Sequence, residues 1–262
     1  MATNIGFVDV GPPEMLSCKY CEYRDKDNAH KENADLFGVE TTKMQTYLLE
    51  IRNMTCGYGK KNICRDLNIR LPQGSCSLIL GNNGCGKSTL FSVITGMKKA
   101  RNGQFFWKGS EIPVESMQNR IGYVPQQSPL ISELTVWDNL MLWYGDKKRL
   151  QEELETGMLQ KLGVNQMQKM QVSRLSGGMA RRCAIGCAMA GSPELLVLDE
   201  PGAALDMECK KIWKACMKEY VMQGGTVLFS THDETDQDLA DHIYYMKDGV
   251  LLEATSERRR SR

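Results

Sequence analysis

"LGNNGCGKST", Leu80 to Thr89, is the stretch on which the reading of the chain turns. Gly81, Gly86, Lys87 and Ser88 satisfy the phosphate-loop spacing G-x-x-x-x-G-K-[ST]. Glycines tolerate positive φ, so such a loop can turn successive backbone N–H groups inward around an anion, and Lys87 adds a cation that neutralises phosphate charge. The flanks agree with that chemistry. "SLIL" before the loop reads as a short buried strand, and "STLFSVITGM" after it reads as a helix whose positive N-terminal end faces the anion. Ser88 is placed to ligate Mg²⁺ through its hydroxyl. The candidate cradle is therefore Gly81, Asn82, Asn83, Gly84, Cys85, Gly86, Lys87, Ser88 and Thr89.

Outward from the loop, composition sets the bounds. A chain of 262 residues with 42% apolar content can bury one substantial core. A formal net charge of +1 supplies no global field to attract nucleic acid or a membrane, so no nucleic-acid partner is expected. No stretch approaches the roughly 18 apolar residues of a membrane span, and the N-terminus "MATNIGFVDVGPPEM" has neither a basic start nor a hydrophobic signal core. The expectation is a cytoplasmic chain whose ten cysteines are reduced and mostly serve as small core residues. Cys85 is the exception: Gly84 and Gly86 offer little shielding, and Lys87 and the helix N-terminus favour a thiolate, so it reads as an open, reactive thiol.

Residues 1–45 read as an appendage, with Gly11, Pro12 and Pro13 followed by the charge-rich "CEYRDKDNAHKENAD". Cys18 and Cys21 form one C-x-x-C near His30, only half of the usual four-ligand zinc set, and read as incidental thiols. Regular structure is expected from residue 46 to residue 262. "YLLEIRNMT" alternates as a strand, and "NIRLPQGSCSLIL" holds two more around a Pro-Gln-Gly turn. From about Leu134 the period turns helical, before the strands "ELLVLDE" and "TVLFST". That order implies a mostly parallel sheet with a helical insert at about residues 128–178. Trp137, Trp143 and Tyr144 in the insert read as core aromatics, and the terminal "ERRRSR" as a solvated tail.

The strand "LLVLDE" ends in Asp199 and Glu200, about 110 residues beyond the loop. In a parallel sheet both emerge at the ligand-binding edge, where Asp199 would hold Mg²⁺ and Glu200 could act as general base toward an attacking water. "RLSGGMARR" places Ser176, Gly177 and Gly178 at a helix start, where a hydroxyl and free N–H groups can bind phosphate.

Here the chain resembles the ATP-binding subunits of ABC transporters, whose signature is LSGGQ; Leu175 to Gly178 match and Met179 stands in place of Gln. The resemblance runs over about residues 47 to 252. It implies an α/β fold: a P-loop NTPase core of ABC type with an antiparallel β lobe and a helical subdomain. It also implies roles. Tyr58, in "CGYGKKNI", would stack on adenine; Gln126, in "IGYVPQ", would approach Mg²⁺ and water; His232, in "STHD", would bond the γ-phosphate. "EPGAALD" resembles the D-loop, keeping Asp206 but with Gly202 and Ala203 where hydroxyl residues are usual. The family implication is ATP with Mg²⁺, held between the phosphate loop of one chain and the signature of a second ATP-binding subunit. Both subunits would work peripherally on the inner face of a membrane, driving transmembrane permease subunits. The region around Trp143 would receive a coupling helix of the permease. The short run after His232 leans the expectation toward export; a soluble ABC-type ATPase in cofactor assembly is the alternative.

Overall fold

The computed structural model describes residues 46–203 and 205–254. The expected appendage with Cys18, Cys21 and His30, and the "ERRRSR" tail, lie outside the described residues. Two sheets organise the rest. The first is antiparallel, in the order β2-β1-β4-β5, built from β1 (Tyr47–Tyr58), β2 (Lys61–Pro72), β4 (Asn102–Trp107) and β5 (Ser110–Glu111). The second has the order β10-β9-β3-β8-β7-β6 and contains β3 (Cys76–Leu80), β6 (Ile121–Val124), β7 (Leu195–Asp199), β8 (Thr226–Thr231), β9 (His242–Lys247) and β10 (Val250–Glu253). Only its edge pair, β9 and β10, runs antiparallel.

The apolar runs explain the second sheet. Every residue of β3, β7 and β8 is buried, as expected of parallel strands covered on both faces. One face packs on α1 (Lys87–Ile94), whose Leu90, Phe91, Val93 and Ile94 share a core with β1, β2 and β4. The other face packs on α5 (Gly177–Met189) and α6 (Met207–Met222), with Trp213 of α6 edge-on to Phe229 of β8 at 5.9 Å.

The helical insert carries α2 (Val136–Tyr144), α3 (Lys147–Glu155) and α4 (Met158–Lys161). Thr135 and Asp138 form a capping box at the start of α2, Gly145 ends it in the left-handed conformation, and Asp146 caps α3. One expectation fails here. Tyr144 is buried and Trp137 packs on the core, but Trp143 is 59% exposed. Adjacent helical residues point about 100° apart, so the face that buries Trp137, Leu140 and Tyr144 turns Trp143 outward.

Parallel register positions the chemistry. Leu80 pairs with Thr231, Asp199 with Ser230, and Val124 with Leu198, so β3, β8, β7 and β6 end together. Four loops, after Leu80, Val124, Asp199 and Thr231, therefore open on one edge, where α/β sheets bind ligands. The antiparallel lobe is tied to this sheet at Gly249, whose carbonyl accepts from the Arg65 N–H at 3.0 Å. Gly249 has φ +77°, and a Cβ there would lie 1.8 Å from the Ile63 carbonyl oxygen. Gly249→Ala should therefore lower unfolding stability by about 1–3 kcal/mol in urea titration, whereas an unchanged midpoint would show that the junction yields freely.

Candidate functional site

The phosphate loop leaves β3 at Gly81 and enters α1 at Lys87. Gly84 and Gly86 have φ +78° and +117°, a conformation that side chains rarely adopt. The first-turn amides of Lys87, Ser88 and Thr89 have no acceptor within the helix and point out of its N-terminus. Lys87 is buried, and its ammonium donates to the Gly81 carbonyl at 2.6 Å and the Asn82 carbonyl at 3.3 Å. The loop thus folds back on its own lysine.

A cavity of about 340 Å³ opens over this loop, lined by Asn83, Gly84, Gly86, Lys87, Ser88 and Thr89 together with Ile63, Gln126 and Glu200. Ile63, from β2, gives the wall its apolar part; sequence patterning carried no signal for it beyond a strand position. Gln126 Nε2 donates to Glu200 Oε2 at 3.2 Å, which brings together two residues 74 apart in the chain. His232 Nδ1 lies 3.6 Å from the same carboxylate oxygen, with the imidazole exposed. Glu200 itself is 8% exposed and stands at φ +50°, a strained setting for a non-glycine residue that its neighbours must hold.

Asp199 is buried at the end of β7, 1% exposed. Ser230 couples it to Glu200: the Ser230 hydroxyl donates to Asp199 Oδ1 at 2.6 Å and accepts from the Glu200 N–H at 3.1 Å. Asp199 Oδ2 has no hydrogen-bond partner among the described residues. A buried carboxylate oxygen without a donor suits a cation, so the donor set of Ser88, Asp199 and Gln126 fits Mg²⁺ chemistry, all three being oxygen ligands.

Arg181 lies within "RLSGGMARR", where spacing alone assigns it no role. The structure buries its guanidinium, which donates to the Pro125 carbonyl at 2.5 Å and to the Asp199 carbonyl. Burial holds its pKa below the usual arginine value, opposed chiefly by the Asp199 charge. It clamps the exits of β6 and β7, and hence Gln126 and Asp199. Ser230 and Arg181 were illegible as site residues because each acts on a segment distant in sequence.

The remaining candidates lie outside the cavity. Ser176 caps α5, its hydroxyl accepting from the Met179 N–H at 3.2 Å; Ser176 and Gly177 are exposed, while Gly178 is buried. Met179 packs partly into the core. Asp206 caps α6, its carboxylate accepting from the Cys209 N–H at 2.7 Å. Gly202 sits against the buried Asp236 carboxylate, 3.2 Å from where a Cβ would stand. Tyr58 is exposed at the end of β1. Cys85 departs from the open thiol expected: it is half-buried and packs on the core under the loop, its sulfur 2.7 Å from where a Gly81 Cβ would stand. The other described cysteines are also free thiols, six of them buried.

Comparison with known proteins agrees with this geometry. The family described as "ABC transporter" matches residues 64–203, over half of the chain. The spermidine/putrescine import ATP-binding protein PotA of Spiroplasma citri is 32% identical over 214 residues, 79% of this chain and 61% of that protein. The chain thus spans about three fifths of that relative's length. The linearmycin resistance ATP-binding protein LnrL of Bacillus subtilis is 34% identical over 216 residues, 78% of this chain and 68% of that protein. Among solved structures, an ATP-binding subunit of an ABC transporter superposes with a TM-score of 0.73 at 25% identity, covering 81% of this chain and 92% of that one. A dimeric bacterial ABC transporter cassette superposes with a TM-score of 0.72 at 25% identity, covering 79% and 98%.

Ser230→Ala would leave the buried Glu200 N–H without an acceptor and Asp199 without its hydroxyl donor. It should lower stability by about 1–3 kcal/mol in denaturant titration and weaken Mg²⁺-dependent nucleotide binding in calorimetry. Wild-type values for both would remove Ser230 from the site.

Proposed function

The chain belongs to the ABC transporter family, in its ATP-binding domain, and from that premise we propose that it hydrolyses ATP to power a separate membrane-spanning permease. The observation that carries the reading is the meeting of Lys87, Gln126 and Glu200 on one cavity. Lys87 and the loop amides bind the β- and γ-phosphates. Tyr58 stacks on adenine. Ser88, Asp199 and Gln126 would hold Mg²⁺, which when bound neutralises phosphate charge. Glu200 takes a proton from the attacking water as the bond from water oxygen to γ-phosphorus forms and the bond to the bridging oxygen breaks, leaving ADP and phosphate. His232 bonds the γ-phosphate beside Glu200.

Ser176, Gly177 and Gly178 do not line that cavity. The helix N-terminus at Ser176 and Gly177 is exposed and lies away from that cavity, which supports a shared arrangement in which each ATP is closed between the loop of one subunit and the signature of the next. ATP closes the dimer and hydrolysis reopens it. The permease docks on an apolar groove of about 430 Å³ beside the strand that leads to Gln126, lined among others by Met97, Ile121, Pro129, Trp143 and Cys187. Met97 and Trp143 are large apolar side chains exposed there, which suits a partner helix. Among the described residues no helix is long and apolar enough to cross a membrane. Related proteins serve both import and export by name, and cargo and direction are set by the permease.

Glu200→Gln keeps the shape of the side chain but cannot accept the proton. It should retain ATP binding, lose about 10²- to 10⁴-fold in turnover, and elute with ATP at twice the 29.5 kDa of the single chain. Near-wild-type turnover would remove Glu200 as the base.

A further inference from the structure

Tyr58 ends β1, and the two-residue Gly59–Lys60 turn leads into β2 at Lys61. Two cations on the segment that leaves α1 hold this hairpin tip. Lys98 places its ammonium 3.7 Å from the centroid of the Tyr58 ring. The Arg101 guanidinium donates to Asn62 Oδ1 at 2.7 Å, to the Gly59 carbonyl at 2.5 Å and to the Lys61 carbonyl at 3.4 Å. Its backbone N–H also donates to the Thr55 carbonyl at 2.8 Å. One planar fork thus gathers three acceptors around the turn, a task the point charge of a lysine performs poorly. Neither cationic side chain lines the phosphate cavity.

We propose that Lys98 and Arg101 are positioning residues for the nucleobase: Arg101 fixes the hairpin, and Lys98 covers one face of Tyr58, leaving the other face for the base. The inference rests on the reading of Tyr58 as the adenine platform. The geometry carries it in two steps. A ring that is 59% exposed at a hairpin tip swings unless its backbone is tied down, and Arg101 ties the residues on both sides of the turn. A cation over one face of an aromatic ring is attracted to its π-electrons, so Lys98 sets both the ring's orientation and the face on offer. Because α1 starts at Lys87 and its exit carries Lys98 and Arg101, a single two-turn helix links the phosphate cradle to the base platform.

The test is calorimetric binding of ATP and of inorganic tripolyphosphate, both with Mg²⁺, to the full chain and to Arg101→Ala, Arg101→Lys, Lys98→Met and Tyr58→Ala. Arg101→Ala and Lys98→Met should each weaken ATP binding by about threefold to tenfold and leave tripolyphosphate binding unchanged. Arg101→Lys should recover part of the loss, and in steady state KM for ATP should rise while kcat holds. Parallel weakening of both ligands would mark a general structural defect and overturn the proposal, as would unaltered ATP affinity. If Tyr58→Ala itself leaves ATP affinity intact, the platform reading falls. If Tyr58→Ala weakens ATP selectively and the Arg101 and Lys98 variants do not, the platform stands and this inference alone falls.

Discussion

Three buried ionisable side chains at one edge of a sheet are what the rest of the molecule is arranged to hold. Lys87, Asp199 and Glu200 are 6%, 1% and 8% exposed. Taking ions out of water costs several kcal/mol each unless opposite charge or hydrogen bonds offset it. The chain offsets only part of that cost internally. Among the described residues, Lys87 leans on two carbonyls of its own loop, Asp199 has one oxygen satisfied by Ser230 and one without a partner, and Glu200 accepts from Gln126. On the proposed function, a magnesium nucleotide would supply an anion for the lysine and a cation for the carboxylates. The parallel register and the Arg181 clamp hold these groups in place, and the Glu200 backbone stays strained because they do.

Much of this was legible in the sequence because it is local. The loop spacing, the uninterrupted apolar strands and the Ser176 helix cap each rest on residues within one short segment, where spacing maps directly onto geometry. Glu200 was legible as the end of a buried strand and Gln126 through the family resemblance, but the 3.2 Å bond between them depends on β6 and β7 being neighbours. Arg181, Ser230 and Ile63 were missed for the same reason: their importance comes from partners distant in sequence. Trp143 was misread by treating three aromatics as one group, although its place next to Tyr144 already denies both of them the same helix face. Cys85 was misread because flanking glycines suggest openness, while the loop turns its side chain down onto the core.

On the proposed function, one chain holds only part of a shared site. The cavity over the phosphate loop has Ile63, Gln126 and Glu200 on its walls, and the exposed start of α5 at Ser176 and Gly177 lies elsewhere on the surface. The apolar groove with Met97 and Trp143 borders Pro125, immediately before Gln126, whose backbone Arg181 also grips. A partner pressing on the groove would therefore act on the strand exit that positions Gln126 against Glu200. On that reading, nucleotide chemistry and partner contact would share one short piece of backbone.

The shared site is the central claim, and complementation between two disabled variants tests it most directly. Lys87→Ala removes the loop's cation, and Ser176→Arg blocks the signature; each alone should be inactive. In a mixed dimer, one site carries both lesions and the other carries neither. After subunit exchange, an equal mixture should regain ATPase activity, up to about a quarter of the wild-type rate for random pairing and independent sites. An inactive mixture whose exchange is confirmed by mass would contradict the account.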